Sequence, residues 1–279
     1  MENQIAVVTG ASSGFGLLTS LELAQKGFHV IATMRDMKKG LPLVNQAERL
    51  GVKDRIQLFE LDVTSNHSIT NWKTFMEELG RIDILVNNAG YAGAGFVEEI
   101  PVEEYREQFE TNVFGVIGVT QAVLSMMRKQ RKGRIITISS ISGRVGFPGL
   151  SPYVSSKHAL EGWSESLRLE MKPFGIDVVI IEPGSFQTNI WSSGKRVTEN
   201  SLKIDSPYYG KMKKLEQHIE KGTNKFGDPV LVAKLIAGIA LKKKTSLRYM
   251  VGEGVKVSVI LKFILPWRIW EKLLLKQLK

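Results

Sequence analysis

Seven short, β-branched apolar runs punctuate this chain, and longer segments with helical spacing lie between them. The runs are Ile5–Thr9, Val30–Thr33, Ile56–Leu61, Ile82–Asn87, Arg134–Ser139, Asp177–Ile181 and Leu247–Val251. Continuous apolar runs this short suit strands covered on both faces, as in a parallel sheet. Gly16–Lys26 sets Leu17, Leu21 and Ala24 on one side, and Val102–Gln130 and Tyr153–Lys172 repeat that spacing over greater lengths. Strands alternating with helices are joined by right-handed crossovers. The pattern predicts an α/β fold with a doubly wound parallel sheet. A single domain over residues 1–254 is expected, with a helical C-terminal extension over 255–279.

The first run leads straight into Thr9-Gly10-Ala11-Ser12-Ser13-Gly14-Phe15-Gly16, followed by a helix. Glycines allow a tight turn and let backbone N–H groups approach a pyrophosphate at the helix N-terminus. Such turns also arise for packing reasons, so the motif gains force only in company. The second run ends in Met34-Arg35-Asp36. NAD-binding proteins usually place an acid there for the ribose 2′-hydroxyl, whereas an arginine accommodates a 2′-phosphate. Met34 stands where the acid is expected, and the planar, permanently charged guanidinium of Arg35 suits a phosphate. The other reading has Arg35 merely ending a strand while Asp36 takes the acidic role. We favour NADP(H) over NAD(H).

The formal net charge of +10 admits nucleic acid, anionic lipid or a phosphorylated small molecule as partner. The basic residues are dispersed, with enrichment at Lys242–Lys244 and in the last 25 residues, and no nucleic-acid motif accompanies them. Nucleic-acid binding is not expected. With no cysteine there is neither a disulfide framework nor a thiolate nucleophile. No His or acidic cluster has metal-ligand spacing, so no metal is predicted. Neither a secretory signal at the front nor a run near the ~18–20 apolar residues of a membrane span is seen, and a cytoplasmic location is expected.

Tyr153 and Lys157 are four apart and share one face of their helix. Tyrosine ordinarily titrates near 10, too high for easy base catalysis, and an adjacent ammonium should lower that value. Tyr153 could then pass a proton to a carbonyl oxygen or take one from an alcohol. Taken alone, such a pair is an ordinary amphipathic surface. Ser140 ends a predicted strand, where open α/β sheets put their ligands, and Ser139 beside it is a rival.

Together these features resemble the short-chain dehydrogenase/reductase family over roughly residues 3–190. The motifs fall in the family's order: Thr9–Gly16, Asp62-Val63, Asn87-Asn88-Ala89-Gly90, Asn112, Ser139-Ser140, Tyr153-x-x-x-Lys157, and Pro183-Gly184 with Thr188. Ser140 precedes Tyr153 by 13 residues, the family's typical spacing. The resemblance implies a Rossmann-type fold and a catalytic set of Asn112, Ser140, Tyr153 and Lys157. In that picture Ser140 binds the substrate oxygen, Lys157 also binds the nicotinamide ribose, and Asn112 holds a water of a proton relay. A helix-interior Asn112 tied to local backbone is the alternative. The resemblance further implies a cofactor set of Gly10, Ser12, Ser13, Gly14, Phe15, Gly16, Arg35, Asp62, Val63, Asn88, Tyr153, Lys157, Pro183, Gly184 and Thr188. Asp62-Val63 would lie near the adenine, Asn88 near a ribose and Thr188 near the nicotinamide amide.

Met34-Arg35-Asp36 and Arg248-Tyr249-x-Val251-Gly252 look most like the branch of 17β-hydroxysteroid and retinol dehydrogenases. That implies a hydrophobic, steroid-, retinoid- or lipid-like alcohol or ketone, while the wider family implies a homodimer or homotetramer formed through the Val102–Gln130 and Tyr153–Lys172 helices. An NAD-linked alcohol dehydrogenase and a non-catalytic nucleotide sensor are the competing readings.

Two segments carry no motif. Residues 184–228 are rich in polar and turn residues, with aromatics at Phe186, Trp191, Tyr208 and Tyr209, and read as an irregular substrate loop or a tolerated insertion. In the tail, Val255–Leu265 is almost wholly apolar; after Pro266, Trp267, Trp270, Leu273, Leu274 and Leu278 alternate with basic residues. Such a helix can cover the cleft, meet a second subunit or lie on an anionic membrane. Packing against protein is the favoured reading, since apolar helical faces are more often buried in protein.

Overall fold

The structure, a computed structural model, describes residues 4–191, 194–222 and 226–276, apart from the side chains of Trp191 and residues 218–222. Two positions singled out in the sequence, the Trp191 ring and Leu278, lie outside that description.

All seven predicted strands form. They are β1 (Ile5–Val8), β2 (His29–Met34), β3 (Ile56–Glu60), β4 (Ile84–Asn87), β6 (Gly133–Ile138), β7 (Ile176–Pro183) and β9 (Arg248–Val251). They make one sheet in the order β3-β2-β1-β4-β6-β7-β9, every pair parallel. Two three-residue strands, β5 (Ala92–Ala94) and β8 (Lys195–Val197), pair parallel in a separate ribbon that the sequence reading did not foresee.

Among the described residues ten α-helices connect or follow the strands: α1 (Gly14–Gln25), α2 (Leu41–Arg49), α3 (Asn66–Leu79), α4 (Val102–Phe109), α5 (Gly115–Gln130), α6 (Ser151–Met171), α7 (Tyr209–Gly222), α8 (Val230–Leu241), α9 (Val255–Ile264) and α10 (Trp267–Leu275). Each strand sends alternate side chains to opposite faces. Ala6 and Val8 accordingly join one core with Leu17 and Leu21 of α1 and Val232 and Ile236 of α8. Ile5 and Val7 join the other, with Trp72 and Met76 of α3, Val119 and Val123 of α5, and Leu167 of α6. Two buried faces explain why the inner strands are almost continuously apolar; the edge strands β3 and β9 are only partly buried.

The structure refines three expectations. The predicted helix Val102–Gln130 contains a π turn, Glu110–Phe114, between α4 and α5. The predicted irregular segment 184–228 holds a regular helix, α7, whose Met212 and Leu215 pack on Ala94 and Leu150. Its four lysines had masked that apolar spacing. The tail forms α9 and α10, broken at Pro266, which docks inward through Val259 and Trp270 against Ile141, Val145 and Phe147. The tail therefore packs on the segment that follows Ser140.

Candidate active site

Strand order reverses beside β1, whose neighbours β2 and β4 are entered from opposite directions, and the crevice of such a sheet opens beyond the strands' carboxyl ends. A cleft of about 810 Å³ lies there. Gly10 and Gly14 carry φ of +65° and +54°, which glycine adopts without strain. At Gly16 the constraint is proximity: a Cβ would sit 2.4 Å from the Gly10 carbonyl oxygen and 2.5 Å from Asn88 Nδ2. Asn88 closes the turn by donating from Nδ2 to the Thr9 and Gly10 carbonyls at 2.9 and 3.1 Å. Thr9 Oγ1 in return accepts from the Asn88 and Ala89 N–H groups, each at 3.0 Å.

The turn delivers the chain to α1, whose N-cap Ser13 side chain makes no capping bond and whose first turn has no acidic residue. The positive end of that helix dipole is left for a ligand anion. With Ser12, Ser13 and Gly14 lining the cleft, the cradle fits a dinucleotide pyrophosphate.

At the far corner Arg35 lines the cleft with Lys38 and Lys39. Asp36 is turned onto its own chain, its carboxylate accepting from the Lys38 N–H at 3.0 Å to cap the turn Met37–Gly40. The sequence left Arg35 and Asp36 as alternatives; here the arginine faces the cleft and the acid is spent on a cap. Asp62 is pinned by accepting from the Thr64 N–H and hydroxyl at 2.9 and 2.7 Å, and it lines the cleft with Val63.

Ser140, Tyr153 and Lys157 meet at the other end of the same cleft. Tyr153 shares a hydrogen bond with Ser140, whose Oγ also accepts from the Ser142 N–H at 3.1 Å. Two hydroxyls thus converge where one substrate oxygen would sit. This pairing separates Ser140 from its rival Ser139, whose buried Oγ is not aimed at the tyrosine in any bond described. Lys157 is buried, with Nζ donating to the Ile138 carbonyl at 2.7 Å and lying 5.5 Å from the Tyr153 ring centre.

Burial pushes Tyr153 up to about 12, the Ser140 bond opposing it, and pushes Lys157 down to about 8, with Glu161 opposing. The sequence reading expected Lys157 to lower the tyrosine. In this arrangement desolvation outweighs any such effect, because the ammonium is directed at a carbonyl behind the phenol.

Asn112, inside the π turn, stands behind the cleft and does not line it. Its Nδ2 donates to the Tyr91 carbonyl and to Ser156 Oγ at 3.0 and 3.2 Å, and its Oδ1 accepts from the Tyr91 N–H at 3.1 Å. These are bonds across the fold rather than ties to local backbone. Every other predicted cofactor or catalytic residue lines the cleft except Gly16, which is buried beneath the turn.

The sequence reading missed a charged cluster directly behind Lys157. Glu161, one turn further along α6, accepts from Arg248 Nε at 2.9 Å, and Glu182 of β7 lies 3.1 Å from the same nitrogen. Arg144 donates to Glu182 at 3.2 Å. Glu182 is wholly buried, and burial, with the neighbouring Glu161 charge, raises it to about 7. The signal was available: a glutamate inside an apolar parallel strand needs a cationic partner.

The polar segment also has a clasp. Phe186 and Gly227 form a parallel bridge, with Gln187 N–H donating to the Gly227 carbonyl and Gly227 N–H to the Ser185 carbonyl, both at 3.0 Å. A Cβ at residue 227 would lie 2.6 Å from the Phe186 ring, so glycine is needed there.

This geometry has close counterparts. The chain is 48% identical over 279 residues to an oxidoreductase of Bacillus subtilis, YusZ, covering all of this chain and 99% of that one. It is 36% identical to a 3-ketodihydrosphingosine reductase of Bacteroides thetaiotaomicron, over 92% of this chain and 91% of the relative. A third relative, an NADPH-dependent 3-dehydrocapnine reductase of Ornithobacterium rhinotracheale, is 31% identical over 98% and 97% of the two chains. Among solved structures, a short-chain dehydrogenase of Streptomyces avermitilis superposes with a TM-score of 0.83 at 34% identity, covering 98% of this chain and 97% of that one. An actinorhodin polyketide ketoreductase solved with NADPH superposes at 0.75 with 28% identity, over 91% and 99%. The family model of the short chain dehydrogenases matches residues 4–197, the stretch that carries the glycine turn, Ser140, Tyr153 and Lys157. By fold, by site and by sequence, this chain belongs to the short-chain dehydrogenase family and is an oxidoreductase acting between carbonyl and alcohol.

Proposed function

We propose that this protein is an NADP(H)-dependent oxidoreductase that reduces a ketone or aldehyde on a hydrophobic, lipid-like substrate, with Tyr153 as the general acid. The observation that carries the proposal is the convergence of the Ser140 and Tyr153 hydroxyls, with Lys157 behind them, at one end of a cleft whose other end holds Arg35. The nicotinamide would supply the hydride to the carbonyl carbon. Ser140 would hold the carbonyl oxygen and stabilise the charge that develops on it. Tyr153 would pass its phenolic proton to that oxygen, and the ammonium of Lys157 would stabilise the phenolate left behind.

A phenol raised to about 12 stays protonated at neutral pH and so carries the proton that reduction needs. Asn112 would brace Ser156 and the Tyr91 loop, keeping α6 in register with the cleft and holding a water of the relay. Thr188, Pro183 and Gly184 would flank the nicotinamide. Arg35, helped by Lys38 and Lys39, would hold the 2′-phosphate. Two relatives named as reductases, one of them NADPH-dependent, support the direction and the cofactor. Their names, with Tyr91, Phe186 and Ile190 lining the cleft, support a hydrophobic substrate. Phe114 and Leu169, 54% and 77% exposed, support assembly into a dimer or tetramer through the α4–α5 and α6 helices.

Fluorescence titration with NADPH and NADH tests the proposal. NADPH should bind more tightly, and Arg35→Ala should weaken NADPH alone by about tenfold, the value of a charge-assisted contact at an exposed site. Equal binding of NADH would overturn the cofactor assignment. Tight NADPH binding without turnover on any ketone or aldehyde would instead establish a sensor.

A further inference from the structure

The inner faces of α9 and α10 are accounted for by Val255, Val259 and Trp270, and the outer faces are not. At 100° per residue, Val257, Ile260, Leu261 and Ile264 fall opposite Val255 and Val259. They are exposed, Val257 by 59% and Ile264 by 71%, with Phe263 at their flank. α9 is thus apolar on both sides, a pattern of helices enclosed by protein or lipid rather than by water. α10 carries Arg268 and Lys272 on the side opposite Trp270 and Leu274, flanked by exposed Ile269 and Leu275, with exposed Trp267 and Leu273 at the margins. Contiguous exposed apolar surface of this kind marks a docking site.

Its occupant follows from the charge. Lys256, Arg268, Lys272 and Lys276 are interleaved with these side chains and exposed, and Glu271 is the lone acid between residues 255 and 276. Lys262 points inward, its Nζ donating to the Arg144 carbonyl. A second copy docking symmetrically would set this same basic surface against itself, and like charges oppose that. An anionic lipid surface matches both the apolar side chains and the cations. No helix among the described residues is long and apolar enough to cross a membrane, and α9 has only ten residues. The helices would lie in the interface plane, with Trp267 at headgroup level.

We infer that the outer face of α9 and α10 is a docking surface for anionic membrane. Because the inner face packs on Ile141, Val145 and Phe147, just beyond Ser140, docking there brings the substrate end of the cleft to the lipid surface. The inference does not depend on which cofactor or substrate the cleft accepts.

The test is co-sedimentation of the full chain with vesicles of phosphatidylcholine alone or mixed with phosphatidylglycerol. The parent should pellet with the phosphatidylglycerol vesicles, and rising salt should release it. Arg268→Gln with Lys272→Gln should lower the partition constant by about fivefold for each charge removed. Val257→Ser, Ile260→Ser and Ile264→Ser together should abolish pelleting while leaving circular dichroism and thermal midpoint unchanged, since all three positions are exposed. On the parent, vesicle addition should blue-shift tryptophan emission, and Trp267→Phe should remove most of that shift. The inference is overturned if the parent stays in the supernatant, if the triple variant pellets like the parent, or if the triple variant has a smaller mass by light scattering. The last outcome would make the face a subunit contact.

Discussion

At the cofactor end of the cleft, the backbone does the specifying. Gly10 and Gly14 supply positive φ, Gly16 has no room for a Cβ, which would sit 2.4 Å from the Gly10 carbonyl oxygen, and Asn88 ties two loops together by donating to backbone carbonyls. At the substrate end the walls are side chains such as Tyr91, Phe186 and Ile190, and the tail nearby presents an apolar outer face. A backbone demand admits few residue types at each position, so it leaves a motif. A side-chain surface can be met by many sequences of similar character and leaves none. The contrast teaches where change is tolerated in this molecule.

Tyr153→Phe should break the chemistry while sparing the cofactor end. Loss of a general acid should lower kcat by about 10²–10⁴-fold, far more than any change in NADPH affinity. Stopped-flow NADPH oxidation and fluorescence titration read the two separately, and a variant within tenfold of the parent would remove Tyr153 from its role.

Gly16→Ala probes the backbone demand. The new Cβ has no room and should destabilise the fold by about 1–3 kcal/mol in a urea melt, with weaker NADPH binding. Gly238→Ala in α8, where a Cβ meets nothing within 4 Å, should instead stabilise by about 0.5–1 kcal/mol. Equal effects at the two glycines would erase the distinction drawn here.

The charged cluster allows a subtler test. Burial sets Lys157 to about 8, and Glu161 holds it above where burial alone would put it. The ammonium is present below that value and lost as pH rises through it. The kcat/KM for reduction should therefore decline above about pH 8, and Glu161→Gln should move the decline to lower pH. A purely structural Glu161 would change the rate without moving the break.

Smallest of all should be Ile204→Ser, within about 0.5 kcal/mol of the parent in a thermal melt, as expected for an exposed position away from special features.

The same contrast explains what the sequence made legible. The five inner strands could be read because each is buried on both faces and so is almost continuously apolar, whereas the edge strands β3 and β9 are only partly buried and keep less of that signal. The β5–β8 ribbon could not, because Ala92–Ala94 and Lys195–Val197 are too short to show a period. Ser140, Tyr153 and Lys157 were readable as a spaced set, and the structure brings them together. The position of Asn112 behind the cleft was not, since a π turn has no sequence period of its own. Glu182 was hidden differently, as a charge at the end of a strand legible by its apolar neighbours, while Arg248 was legible only within a family motif and not as a partner of Glu161 and Glu182.

The clasp between Phe186 and Gly227 carries a consequence for descent. It holds the two ends of a forty-residue excursion side by side on the rim of the sheet, while β8 and α7 fasten the middle to Ala92–Ala94 and Leu150. Closing a longer loop costs only about 0.6 kcal/mol per doubling of length. The loop between β8 and α7 can therefore lengthen or shorten at small cost and change selectivity, provided that Thr188 keeps its place in the cleft, Gly227 remains glycine and an aromatic ring stays beside it.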